Sequence, residues 1–238
     1  MRRLLPLVLV LALAACGGAS PTAPQRPPAA APAPAEVFLP RGRPRVTVVL
    51  LHGWNDLASA SYRTEIDHLL AQGVAVVFPR YQAGVLSTPA AMLIGTEAGI
   101  RYGLKRVPGH GPVVVAGYSL GGGLAVEYAA LAKDWAVAAP AAVYAIFPAG
   151  PVGAARRLPA VPAATTVTLL VGDRDTVVGR AGADALAAAI APHPVTLRQL
   201  HSAGAARFDH FAPRRDNPAE RAAIWLPLDA VLERVAPR

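Results

Sequence analysis

A three-layer α/β/α sandwich with a mostly parallel sheet is the fold class this sequence predicts, and three observations predict it. Short uninterrupted apolar runs recur along the chain, the pattern of strands buried on both faces. Between them lie longer segments whose apolar residues fall three and four apart, the spacing of helices packed on one side. The two kinds of segment alternate from residue 45 onward, so consecutive strands are joined by helical crossovers. With 238 residues the chain is long enough for one domain with a full core.

Met1-Arg2-Arg3 is a short positive segment, and Leu4 to Ala15 is an apolar stretch too short to span a bilayer. It ends in Leu13-Ala14-Ala15-Cys16, and Cys16 is the sole cysteine. This string resembles the lipobox of bacterial lipoproteins. The resemblance implies that residues 1–15 are a signal peptide and that Cys16 is lipidated, becoming the first residue of the mature chain. It further implies a protein anchored by lipid in the cell envelope outside the cytoplasm, at the outer membrane or the outer leaflet of the plasma membrane. Gly17, where a retention signal would have Asp, implies outer-membrane sorting in a two-membrane cell. An ordinary signal peptide cleaved after Ala15 is the alternative. On the lipobox reading the mature chain has no free thiol and no disulfide, so packing alone holds the fold. The rest of residues 16–36 is rich in Pro and Ala, a composition that stays extended and cannot build a core. Such a linker would hold the domain tens of ångströms from its anchor, at about 3.1 Å per residue.

The domain is expected over 37–238. Val37 to Leu39 reads as an edge strand, followed by a turn at Arg41-Gly42-Arg43-Pro44. Arg45 to Leu51 is a continuous apolar strand. Ser61 to Gln72 reads as a helix with Tyr62, Ile66, Leu69 and Leu70 on one face, stopped by Gly73. Val74 to Phe78 is a strand closed by Pro79, and Thr88-Pro89 caps a helix running to about Arg106. Gly95 and Gly99 in that helix permit close approach to a neighbour. Residues 113–117 form a strand and 120–133 a helix. Ala142 to Phe147, Val167 to Val171 and Val195 to Leu200 are further strands, with a helix over 181–191. Asn217-Pro218-Ala219-Glu220 starts a last helix that Pro227 should kink or split.

The formal charge is +8, but no basic stripe interleaved with aromatics appears, which argues against a nucleic-acid partner. An anionic membrane surface is the more economical use of that charge. The histidines lack metal-ligand spacing and no Gly-x-Gly-x-x-Gly opens the first crossover, so neither a metal nor a nucleotide cofactor is expected. Oligomeric state leaves no mark in the sequence.

The stretch with the most chemical content is Val113-Val114-Val115-Ala116-Gly117-Tyr118-Ser119-Leu120-Gly121-Gly122-Gly123. A buried strand runs into Gly-x-Ser-x-Gly and then a helix, which puts Ser119 at the apex of a sharp turn. A serine hydroxyl needs a base to take its proton, a third group to orient the base, and N–H donors for the developing oxyanion. The chain offers candidates in the order Ser, Asp, His. One donor is the N–H of Leu120, at a helix N-terminus. Two carboxylates follow the Val167 strand in Gly172-Asp173-Arg174-Asp175-Thr176-Val177-Val178, namely Asp173 and Asp175. Two histidines follow the last strand: His201 directly, and His210 on a longer loop in Phe208-Asp209-His210-Phe211 that gives it more reach. His68, His110 and His193 are expected to be solvated.

Together with Leu51-His52-Gly53-Trp54 after the first long strand, these motifs resemble the α/β-hydrolase superfamily, over the whole of 37–238. The nearest likeness is to its cap-less cutinase-like and dienelactone-hydrolase-like members. The resemblance implies the α/β-hydrolase fold, an oxyanion hole from the Trp54 and Leu120 N–H groups, a structural role for His52, and Asp175 and His210 as acid and base. If Asp175 is the acid, Asp173 is left to cap the loop or pair with Arg174. About twenty residues separate strands 142–147 and 167–171, too few for a large cap, so the site should be open to bulky or interfacial esters. The function expected is a serine esterase working through an acyl-enzyme. The alternatives are an acyltransferase or peptidase with the same triad, or an inactive fold serving as a surface binding module.

Overall fold

The computed structural model describes residues 32–153 and 157–236; the expected signal peptide, Cys16 and the linker up to residue 31 lie outside them. The first strand, β1 (Ala35–Phe38), begins ahead of the expected boundary at 37. It is followed by β2 (Val46–Leu51), β3 (Val74–Pro79), β4 (Val113–Tyr118), β5 (Ala142–Ile146), β6 (Thr166–Gly172) and β7 (Thr196–Leu200). The helices are α1 (Arg63–Ala71), α2 (Pro89–Leu104), α3 (Leu120–Leu131), α4 (Ala181–Ala189), α5 (Pro218–Ile224) and α6 (Leu226–Val235). The strands form one sheet in the order β1-β3-β2-β4-β5-β6-β7. Only β1 runs antiparallel, pairing Ala35 with Pro79 and Phe38 with Val76 at the sheet edge.

Why the strands read as unbroken apolar runs is visible in the packing. Alternate residues of β2, Val49 and Leu51, face one core cluster with Met92 and Ile100 of α2, Leu124 and Tyr128 of α3, and Leu186 of α4. The intervening Val48 and Leu50 face a second cluster with Ile66 of α1, Ile224 of α5 and Leu232 of α6. A period of two with both phases buried leaves no position for an unsatisfied polar residue, and the one polar side chain of β2, Thr47, donates to His110 O at 2.6 Å. α3 is buried on nearly all sides from Gly121 to Ala130, so its Ala- and Gly-rich composition reflects tight packing rather than a solvent face.

Local chemistry sets the helix ends. The Thr88 side chain accepts from the Ala91 N–H with Pro89 in the first turn, and the Asn217 side chain accepts from the Ala219 and Glu220 N–H groups. The helix expected from Ser61 begins instead as a 3-10 turn at Ser59–Tyr62 and becomes α only from Arg63. Pro227 splits the last helix: α5 ends at Ile224 and α6 starts at Leu226. Among the described residues between β5 and β6 there is no helix or strand, so nothing there forms a cap.

Candidate active site

The order of strands decides where the site lies. The chain leaves β2 toward β3 on one side, then crosses back to place β4 on the other side of β2. The loops after β2 and β4 therefore diverge and open a crevice at the C-terminal ends of those strands. Residues 52–58 follow β2 there, and Ser119 follows β4.

Ser119 sits between β4 and α3 with φ +55° and ψ −118°, a conformation that side chains rarely adopt. Its backbone is held on three sides: Ser119 N–H donates to Ile146 O at 2.9 Å, and Ser119 O accepts from Gly122 N and Ala149 N, each at 2.9 Å. The turn is tight enough to exclude side chains around it. A Cβ on Gly117 would stand 2.1 Å from Gly121 O, and one on Gly121 would stand 2.3 Å from Leu51 O. Glycine is required at both positions by close backbone approach.

Two loops bring the other groups to the serine. Ser119 Oγ lies 2.9 Å from His210 Nε2, and His210 Nδ1 lies 2.8 Å from Asp175 Oδ2. All three residues are buried. Asp175 leaves the end of β6, and its other oxygen accepts from the Val177 and Val178 N–H groups at 2.9 and 3.1 Å. Burial opposes its ionisation, but the hydrogen bond from His210 and those backbone donors outweigh it and hold the carboxyl below the usual carboxylate range. An ionised carboxylate only accepts, so Nδ1 carries the imidazole proton and Nε2 is left as the acceptor facing Ser119. Tyr118 steadies the imidazole: its hydroxyl donates to His210 O at 2.8 Å, and its ring lies 5.3 Å from the imidazole.

The Leu120 and Trp54 N–H groups have no acceptor among the described residues. Both residues line, with Ser119 and His210, a cavity of about 430 Å³ whose walls also include Val177 and Phe211. The Trp54 ring is half-exposed at its mouth. His52 is buried, stacked on Tyr81 at 4.1 Å and on Phe78 at 5.5 Å, with Nδ1 bonded to Gly53 O at 2.7 Å. Burial lowers its pKa and keeps it neutral. It shapes the loop and bonds no member of the serine array among the described residues.

Asp173 does not pair with Arg174 as its alternatives allowed. Its carboxylate bonds the Ser202 N–H at 2.8 Å and the Ser202 hydroxyl at 2.5 Å, tying the β6 and β7 loops together. His201 is exposed next to β7 and joins no member of the array. The expectation that His68 and His193 are solvated is corrected. His68 bonds Asp229 of α6 at 3.0 Å, and His193 bonds Thr165 O at 2.9 Å. Three contributors carried no signal in the sequence: the Tyr118 hydroxyl, the Tyr62 hydroxyl that accepts from Gly53 N–H at 3.0 Å, and the Asp56–Arg214 ion pair at 2.5 Å. That pair spans the loops bearing Trp54 and His210, and it leaves the adjoining cavity wall without net charge. Among the described residues no group of three or more His, Cys, Asp or Glu could hold a metal ion.

No protein-family model and no curated protein matches the chain. Solved structures do match in fold. Carboxyl esterase 2 from Tuber melanosporum superposes with a TM-score of 0.64 at 16% identity, over 85% of this chain and 82% of its own. An esterase from Rhizomucor miehei gives 0.63 at 18% identity, over 84% and 79%. Esterase B from Lactobacillus rhamnosis gives 0.63 at 16%, over 84% and 80%. Likeness at this identity is likeness of fold. The seven-stranded, mostly parallel sheet with helices on both faces and a serine at the turn after β4 is the α/β-hydrolase fold.

Proposed function

We propose that this chain is a serine hydrolase that cleaves carboxylic esters through an acyl-enzyme. The observation that carries the proposal is the continuous array Asp175 Oδ2–His210 Nδ1 and His210 Nε2–Ser119 Oγ, at 2.8 and 2.9 Å. Ser119 Oγ attacks the ester carbonyl carbon while its proton passes to His210 Nε2. The carbonyl electron pair moves onto oxygen, facing the unpaired N–H groups of Leu120 and Trp54. Collapse of this intermediate expels the alcohol, which takes the proton from Nε2. Water then attacks the acyl carbon and gives its proton to Nε2. The acid leaves, and the proton returns to Ser119 Oγ. Asp175 stays ionised throughout and fixes the tautomer and orientation of the imidazole.

The cavity walls of Trp54, Val177 and Phe211 suit an uncharged acyl chain, and the Asp56–Arg214 pair adds no net charge that would select an ionic substrate. That fold neighbours are described as esterases supports the same reading. The lipobox-like Leu13-Ala14-Ala15-Cys16 further supports attachment to an envelope membrane through Cys16. Fluorophosphonate labelling at Ser119, together with hydrolysis of short p-nitrophenyl esters, tests the chemistry. Ser119→Ala should abolish labelling and lower the rate by roughly a thousandfold or more. A full rate in that variant overturns the proposal.

A further inference from the structure

The edge of the sheet where Ser119 opens is also where the described residues concentrate their exposed apolar surface. Nine large hydrophobic side chains are exposed: Leu39, Trp54, Leu57, Val85, Leu86, Ile94, Val177, Phe211 and Leu226. Six of them (Trp54, Leu57, Val85, Leu86, Val177 and Phe211) lie on loops that follow the C-terminal ends of β2, β3, β6 and β7. Trp54, Val177 and Phe211 line the mouth of the serine cavity itself. Val85 and Leu86 extend the patch outward on the loop after β3, which is joined to the Trp54 loop by the Asn55 N–H to Gln82 Oε1 bond at 2.8 Å. Leu86 is 92% exposed, so packing within the domain does not account for it. Isolated exposed apolar residues are ordinary, but a collar concentrated at one edge around a cavity marks a contact surface.

Charge and chain path identify what the collar meets. The charges beside it are mostly paired: Asp56 with Arg214 at 2.5 Å, Asp209 with Arg215 at 2.7 Å and Arg207 at 3.5 Å, and Arg180 with Asp184 at 3.2 Å, while Asp173 stands next in sequence to Arg174. At the opposite edge the connections bear Arg41, Arg43, Lys105, Arg106 and Lys133, exposed cations that form no ion pair among the described residues. The collar thus offers apolar side chains with locally balanced charge, which suits a lipid surface of low net charge and not an anionic one. The chain also enters the domain at the collar edge. Ala35 pairs with Pro79 at the C-terminal end of β3, and Pro34 O accepts from the Arg80 N–H at 2.8 Å. The upstream segment therefore joins the domain at the edge that carries the collar.

We propose that this collar docks on the surface of a lipid bilayer, so that the substrates are acyl esters residing in that bilayer and entering the cavity directly from it. The substrate class rests on the serine-hydrolase reading; the docking surface does not. The test uses the full chain carrying Cys16→Ala, so that no acyl anchor contributes, with phosphatidylcholine vesicles in a co-sedimentation assay. Val85→Asp combined with Leu86→Asp lies outside the cavity. It should lower partitioning about tenfold, lower turnover of a vesicle-borne diacyl ester in parallel, and leave soluble p-nitrophenyl butyrate turnover within about twofold. The docking surface is overturned if the parent fails to bind phosphatidylcholine vesicles or if the double variant binds as well as the parent. Binding that appears only with phosphatidylglycerol also overturns it, since that result assigns the contact to the basic edge. Absence of soluble-ester turnover in the parent overturns the serine-hydrolase reading instead, and sedimentation then decides the docking surface alone.

Discussion

The Tyr118 hydroxyl donates a 2.8 Å hydrogen bond to the carbonyl oxygen of His210, so the residue before Ser119 grips the loop that carries the imidazole facing Ser119. The Ser119 turn and the His210 loop are 91 residues apart in sequence, and this strut joins them alongside the Ser119–His210 bond itself. Tyr118→Phe keeps the ring against the imidazole and removes only the donor. Turnover of soluble esters should fall about tenfold with KM little changed, because orientation is lost and the binding surface is not. Thermal stability should drop by about 1 kcal/mol. Steady-state kinetics alongside thermal melts would separate the two effects.

Asp175 and Asp173 lie two positions apart and hold different partners. Asp175→Asn should cost roughly three to four orders of magnitude in kcat, since an amide can donate to Nδ1 and favour the wrong tautomer. Asp173→Asn should leave kcat within a few-fold, because it weakens only the clasp on Ser202. Equal losses in the two variants would show that Asp175 has no special role.

Gly121→Ala tests the closeness of α3 to β2. The added methyl would meet Leu51 O at 2.3 Å and His52 O at 2.4 Å, both backbone atoms that cannot swing aside. Unfolding free energy should fall by about 3 kcal/mol or more, and soluble yield should fall with it. Urea denaturation reads the change directly.

Three carboxyls on the loops around the site are held below their usual range. Bonds from the Ser202 hydroxyl and N–H act on Asp173. For Asp175 and Asp209, burial pushes upward but is outweighed, by His210 and backbone N–H groups at Asp175 and by Arg215 at Asp209. A carboxyl with a depressed folded pKa adds stability that is complete above the unfolded value of about 4 and disappears as pH falls through the folded value. The contribution of these three carboxyls to the denaturant midpoint should therefore hold steady from pH 7 to about 5 and be lost below about 4. Asp209→Asn should shallow that decline. A flat acid limb in the parent would contradict it.

Much of this architecture could be read from the chain because burial on both faces writes a plain pattern. β2, β3 and β4 are wholly buried and wholly or nearly wholly apolar, and Asn217 and Pro227 mark helix ends through chemistry confined to a few neighbouring residues. The serine turn was legible for a similar reason, since its glycines are demanded by contacts within one short loop. Long-range polar contacts leave no such trace. His68 meets Asp229 across 161 residues, and Arg214 meets Asp56 between loops that no spacing rule connects. Of the two roles left open for Asp173, pairing with its sequence neighbour Arg174 is not seen; its hydrogen-bonding partner, Ser202, comes from the next strand's loop.

The backbone of Ser119, at φ +55°, is a shape that glycine takes freely and serine takes at a cost of about 1 kcal/mol or more. A glycine there would relieve that strain, and would remove the hydroxyl to which the proposed chemistry is assigned. On the proposed chemistry, selection for stability and selection for turnover pull in opposite directions at this single position, and glycine in place of Ser119 gives a silent, sturdier version of the molecule.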